Sequence, residues 1–121
     1  MATQVMGTRQ VFDHHIHALG SGDVDDILTD YTDNSVLITP DATLKGHNAI
    51  RAAFEGFVSG LFKPGTYEFA LDTLRVEGEV AHAIWHAKCE SADVVFGTDT
   101  FIVREGKIAV QTFAAKIDPR N

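Results

Sequence analysis

The sequence predicts an α+β domain, helices first and a curled antiparallel sheet after them, on three observations. Apolar residues recur at intervals of three and four as far as Leu61, then alternate with polar ones to the end. The alternating half is cut into four long stretches by the turn signals Gly78, "ESAD" (residues 90–93) and "EGK" (residues 105–107), which is the spacing of hairpins. Within that half one carboxylate, Asp99, shares a strand face with Val95, Gly97, Phe101 and Val103, on the side that faces away from water.

The elements follow in order. Residues 8–19, "TRQVFDHHIHAL", place Val11, Phe12, Ile16 and Leu19 at helical spacing, and Gly20 and Gly22 suit the C-terminal cap. Residues 23–33 open on acids that favour a helix N-terminus and carry Val24, Ile27, Leu28 and Tyr31 on one face, predicting a second, short helix. "SVLIT" reads as a strand and "PDAT" as a loop. Residues 47–62 form the longest predicted helix, with Ile50, Ala53, Phe54, Phe57 and Leu61 inward and Pro64 and Gly65 ending it. The strands then span residues 66–78, 79–91, 93–106 and 107–118. Helices covering one face of such a sheet enclose a cavity between the layers.

Composition bounds the function. The 121 residues, with 45% hydrophobic and 22% charged, make one domain with a genuine core and no second one. A net charge of -7, with only ten scattered Lys and Arg, argues against a nucleic-acid surface. No apolar run approaches the roughly 20 residues that span a bilayer, and the start "MATQVMGT" lacks a basic, apolar leader, so a soluble cytoplasmic protein is expected. Cys89, the single cysteine, excludes an internal disulfide and alternates with Ala83, Trp85 and Ala87, which reads as a small packed residue rather than a nucleophile.

The phrases "GSGDVDDILTDYTDNSVLITP", "LKGHNAIRAAFEGF" and "GTDTFIVREGKI", in this order, resemble the nuclear transport factor two superfamily, within it the SnoaL-like and ketosteroid-isomerase-like branches. The resemblance covers nearly the whole chain, residues 1–121, as a single SnoaL-like domain. It implies a cone-shaped α+β fold: three N-terminal helices on a curved, mixed-edge antiparallel sheet around a pocket. It also implies homodimerisation through the convex sheet face, which His82, Ile84, His86, Lys88, Val94, Phe96 and Ile102 are expected to share. The family includes isomerases, dehydratases, cyclases, epoxide hydrolases and non-catalytic modules, so fold alone does not select a reaction.

Carried over through the matching phrases, the ketosteroid-isomerase site puts its late-strand acid on Asp99, its helix-one tyrosine on His15 and its base on Thr39. Threonine is no proton acceptor near neutral pH, so steroid-type shuttling by Thr39 is not expected. Spacing agrees on the other two: His15 lies in the inward stripe of the first helix, with His14 and His17 pointing away. His15 and Asp99 can therefore face each other as a general acid/base pair acting on a small, mostly apolar carbonyl, epoxide or hydroxy compound. The other readings of Asp99 are ligand recognition and the satisfaction of a buried polar group. Trp85 with Ala83 and Ala87, and Phe113 with Gln111 and Ala115, pair large rings with small neighbours and suit an apolar ligand. Gln111 and Thr39 can contact it, and the resemblance places Tyr31 and Phe54 at the pocket as well; core packing is the competing role of Phe54 and Trp85. "DHHIH" brings Asp13, His14 and His17 within one helical stretch but falls short of three converging ligands, so no metal or other cofactor is expected. The expected function is small-molecule binding, with isomerisation, dehydration or hydrolysis as its chemistry. The alternative is a non-catalytic ligand-binding or protein-interaction module of the same fold.

Overall fold

Helix α1 (Thr8–Ser21) begins where the Gln10 side chain takes the Gly7 amide (2.8 Å) and ends at Gly22, whose left-handed φ of 72° lets its amide reach the Ala18 and Leu19 carbonyls. Gly22 is also a point of close approach: a Cβ there would lie 2.3 Å from the Pro64 ring. Val11, Phe12, His15 and Ala18 form the buried stripe. These features belong to a computed structural model that describes residues 6–120.

Helix α2 (Val24–Leu28) is shorter than the periodicity predicts, and Tyr31 is not on it. The Asp23 carboxylate caps its start and the Thr29 hydroxyl folds back on the Asp26 carbonyl (2.6 Å). The chain then gives its backbone to the sheet: the Ile108 amide donates to the Asp30 carbonyl (2.7 Å), and Tyr31 opens strand β1 (Tyr31–Ile38). Sheet pairing overrides the short helical pattern here. A three-residue strand, β2 (Thr43–Lys45), occupies what reads as the end of a loop and forms a hairpin with β1. Helix α3 (Gly46–Ser59) stops before Leu61, and the Phe62 amide reaches back to the Phe57 carbonyl (2.8 Å) as Phe62 folds into the core.

Strands β3 (Glu68–Glu77), β4 (Val80–Lys88), β5 (Ala92–Arg104) and β6 (Lys107–Pro119) form the expected meander. The sheet order is β2-β1-β6-β5-β4-β3, antiparallel throughout except that β1 runs parallel to β6, which makes the sheet mixed. It remains open and curves round one layer of helices. No helix among the described residues is long and apolar enough to cross a membrane.

One bulge corrects the strand parity. Val94 pairs with Ile117 and Phe96 with Lys116, so β5 carries one residue more than β6 at this point. Val94 consequently faces the core, 1% exposed, where the convex face is predicted, and Val95 turns outward, 47% exposed, where alternation predicts it beside Asp99. Beyond the bulge the reading holds: Gly97, Asp99, Phe101 and Val103 all point inward, and Phe96 outward.

Candidate functional site

Between α1, α3 and the concave sheet face lies a cavity walled almost wholly by rings and aliphatic side chains. About 50 Å³ of it is open to the centre of a water molecule. The polar groups in this wall are few: His15 from α1, Asp99 from β5 and Gln111 from β6, with the tips of Trp85 and Tyr67. A second hollow, reaching Gly20 and Gly65, shares Ile16, Leu19, Tyr67 and Phe69 with this wall.

Asp99 is held by two neutral donors. The Trp85 indole N–H donates to Oδ1 and the Gln111 amide to Oδ2, each at 2.8 Å. Gln111 Oε1 in turn accepts the Tyr31 hydroxyl proton, and Tyr31 Oη lies 3.5 Å from His15 Nδ1, at the edge of hydrogen-bond reach. The donors point along one direction, from Tyr31 through Gln111 to Asp99, and so stabilise the charged form of the carboxylate. Burial pushes Asp99 up from the usual carboxylate range to about 6; the contacts from Gln111 and Trp85, and the more distant His82, pull it down. His15 moves the other way, to about 4, because burial and then the nearby His14 disfavour its charged form. Tyr31 is raised well above its ordinary value, first by burial and then by Asp99 and Asp30.

His15 and Asp99, expected as a pair, meet only indirectly. Both side chains line one cavity, but they do not hydrogen-bond to each other; Gln111 and Tyr31 stand between them. At neutral pH the imidazole is uncharged and the carboxyl close to its titration range. Both hydrogen-bonding neighbours donate to Asp99, so neither Trp85 Nε1 nor Gln111 Nε2 can accept a proton gained there.

Trp85, Gln111 and Phe113, which strand alternation puts on the concave face, line the cavity, and so does Phe54, which the family resemblance puts there, whereas Tyr31 lies behind Gln111 on β1 rather than on a helix. Thr39 is not part of the wall. Its hydroxyl accepts the Asp41 and Ala42 amides (3.2 and 3.1 Å) and shapes the β1–β2 turn. Sequence reasoning did not assign Phe62, Tyr67 and Phe69 to the pocket. Phe62 and Phe69 box the Trp85 ring at centroid distances of 5.9 and 5.5 Å, and Phe113 stacks on it at 6.3 Å. The period-two pattern of β3 carried the signal for Phe69, but nothing local marked Phe62, which lies past the end of its helix.

The histidine cluster on α1 resolves differently from its sequence reading. His14 does not simply face solvent: its Nδ1 meets the buried Asp30 carboxylate at 2.7 Å and its Nε2 meets Asp26 at 3.1 Å. Asp13 pairs with Arg9 (3.1 Å), so Asp13 and His14 of "DHHIH" turn to separate partners.

The solved structures similar to this chain share its fold at low identity. An NTF2-like protein from Cytophaga hutchinsonii matches with a TM-score of 0.75 at 16% identity over 96% of this chain and 95% of that one. SalBIII, an epoxide hydrolase/cyclase-like enzyme of pyran ring formation in the polyether salinomycin, matches with 0.77 at 17% identity over 93% and 95%. A candidate ketosteroid isomerase from Kribbella flavida matches with 0.74 at 13% identity over 90% and 77%. No curated protein matches the chain. The profile of the SnoaL-like domain matches residues 12–111, from the inward stripe of α1 to the amide that holds Asp99, and the chain belongs to that family.

Proposed function

We propose that this protein binds a small, flat, largely apolar molecule bearing a carbonyl, epoxide or hydroxyl oxygen, and that Asp99 exchanges a proton with that oxygen or the carbon beside it. The observation that carries this reading is the placement of Asp99: a buried carboxyl held by neutral donors, poised at about 6, at the wall of an aromatic cavity. A general acid/base works best when its pKa lies near the operating pH. The stacked rings of Trp85 and Phe113, whose planes differ by 19°, give the wall an aromatic surface that suits a ring or conjugated system. His15, neutral in the same wall, serves as a hydrogen-bond partner for the ligand. That an epoxide hydrolase/cyclase-like enzyme and a protein co-crystallised with polyporic acid are built on this fold is consistent with such chemistry.

A second reading, ligand recognition without turnover, is favoured by Thr39: the position the family resemblance gives to the base is a threonine engaged in a turn. One experiment separates the two. Trp85 is the single tryptophan and lines the cavity, so its emission reports occupancy. A panel of small cyclic ketones, epoxides and aromatic acids is screened by quenching, and binders are incubated and followed by mass spectrometry. Conversion by the wild type that falls by about 10²- to 10⁴-fold in Asp99→Asn supports catalysis. Binding without conversion in both supports recognition, and a panel without any quenching overturns both. The same reading includes a homodimer through the outward sheet face, supported by the half-exposed Phe96; a monomeric mass in light scattering would contradict it.

A further inference from the structure

Gly97 pairs across the sheet with Trp85, and Asp99 pairs with Ala83, so Trp85 must lean along β5 to reach the acid two residues further on. It does so by lying on Gly97. A Cβ at position 97 would come within 2.4 Å of Trp85 Cε2, 2.5 Å of Cζ2 and 2.7 Å of Cδ2, distances that no packed structure tolerates. Cε2 is bonded to Nε1, so the part of the ring resting on the glycine is the part that delivers the N–H to Asp99. Phe62, Phe69 and Phe113 crowd the other sides of the indole, leaving the cavity as the open direction for any displacement.

We propose that Gly97 is a positioning residue for Asp99: by presenting no side chain, it lets the Trp85 indole lie flat on β5, hand its N–H to the carboxylate, and stay clear of the ligand space. The proposal rests on Asp99 as the functional group, as argued above, but its test needs no ligand. The titratable groups that share the cavity with Asp99 or act on it are His15 from α1, Tyr67 ahead of β3, Tyr31 from β1 and His82 from β4; none of them is altered by the substitutions.

The test is the pH titration of the Asp99 side-chain carboxyl by carbon-13 NMR in the wild type, Trp85→Leu, Gly97→Ala and the double variant, with folding followed by circular dichroism. The loss of one charged hydrogen bond predicts a midpoint higher by about one pH unit in Trp85→Leu, a tenfold change in the ratio of ionised to neutral carboxyl. Gly97→Ala is expected to shift it by a similar amount, and the double variant by no more than Trp85→Leu alone, since the alanine then has no ring to displace. An unshifted midpoint in folded Gly97→Ala, or additive shifts in the double variant, would overturn the proposal. If Gly97→Ala does not fold, the double variant is expected to fold because the smaller residue 85 makes room. Failure of both, or an unshifted Trp85→Leu, overturns it equally. Failure of the functional reading would appear elsewhere, as an absence of ligand quenching with these titration shifts intact.

Discussion

Two carboxylates are buried among the described residues of this domain, and they are held in opposite ways. Asp30, at the junction of α2 and β1, meets an imidazole: His14 reaches it from α1, and Lys107 donates nearby to the Thr29 carbonyl. Asp99, in the cavity, meets only an indole and a primary amide. Burial pushes both acids up, and on Asp30 the His14 contact pulls back. His14 is itself raised, chiefly by its hydrogen bond to Asp30. A carboxylate paired with a group that can carry positive charge is tied to that partner and joins α1 to the sheet. One held by neutral donors keeps its own titration and keeps a face for a ligand. The comparison separates a structural acid from a candidate functional one by partner chemistry rather than by depth.

The largest test of this contrast is Asp99→Asn, already expected to cost 10²- to 10⁴-fold in turnover on any substrate the cavity accepts. The amide substitution also bears on stability. A raised carboxyl contributes stability that is present below its unfolded value of 3.8 and lost as pH rises through about 6, worth about 3 kcal/mol. Asp99→Asn removes that loss, so urea midpoints measured from pH 4 to 7 should rise relative to wild type across this window. A pH-independent difference would place Asp99 in a more solvated setting than the one described.

His15 supplies the counter-experiment. Its value is lowered from 6.5 to about 4, so its contribution is present above 6.5 and lost as pH falls through about 4, again about 3 kcal/mol. His15→Gln should therefore gain stability relative to wild type on acidification, opposite in sign to the effect of Asp99→Asn. Equal signs in the two variants would break the assignment of a neutral imidazole beside an acid that titrates independently.

The structural acid gives a smaller effect. His14→Ala leaves Asp30 buried without its imidazole, and partial exposure of His14 lets water replace some of the loss, so a cost of about 2 kcal/mol is expected in thermal or urea unfolding. Adding Asp30→Asn should recover about half of it, since a neutral amide is cheaper to bury than an unpaired charge. Neither change should move the Asp99 midpoint, and a shift of half a pH unit or more would show that the two regions are coupled.

Much of the frame was legible beforehand. The change of period near Leu61, the turns at Gly78 and "EGK", and the inward stripe of α1 located the layers, because amphipathic periodicity reports which side of an element meets the core. The positions of Asp99, Trp85 and Gln111 followed from the same alternation. It failed where the backbone departs from regular geometry, at the bulge that sends Val94 inward and at the helix ends where Phe62 turns back. Tyr31 was misplaced because a short acidic segment satisfies helical spacing while a distant strand claims its backbone.

By itself, then, the chain determined its layers, its order of elements and the burial of one acid in an apolar face, all of which are local or periodic properties. Only the tertiary structure decided that His15 and Asp99 are joined through Gln111 and Tyr31 rather than directly, that His14 holds Asp30, and that Trp85 rests on Gly97. Such partnerships join residues tens of positions apart or across a strand pair. A hydrogen bond is set by angstroms and angles, which strand curvature and bulges determine and residue spacing does not.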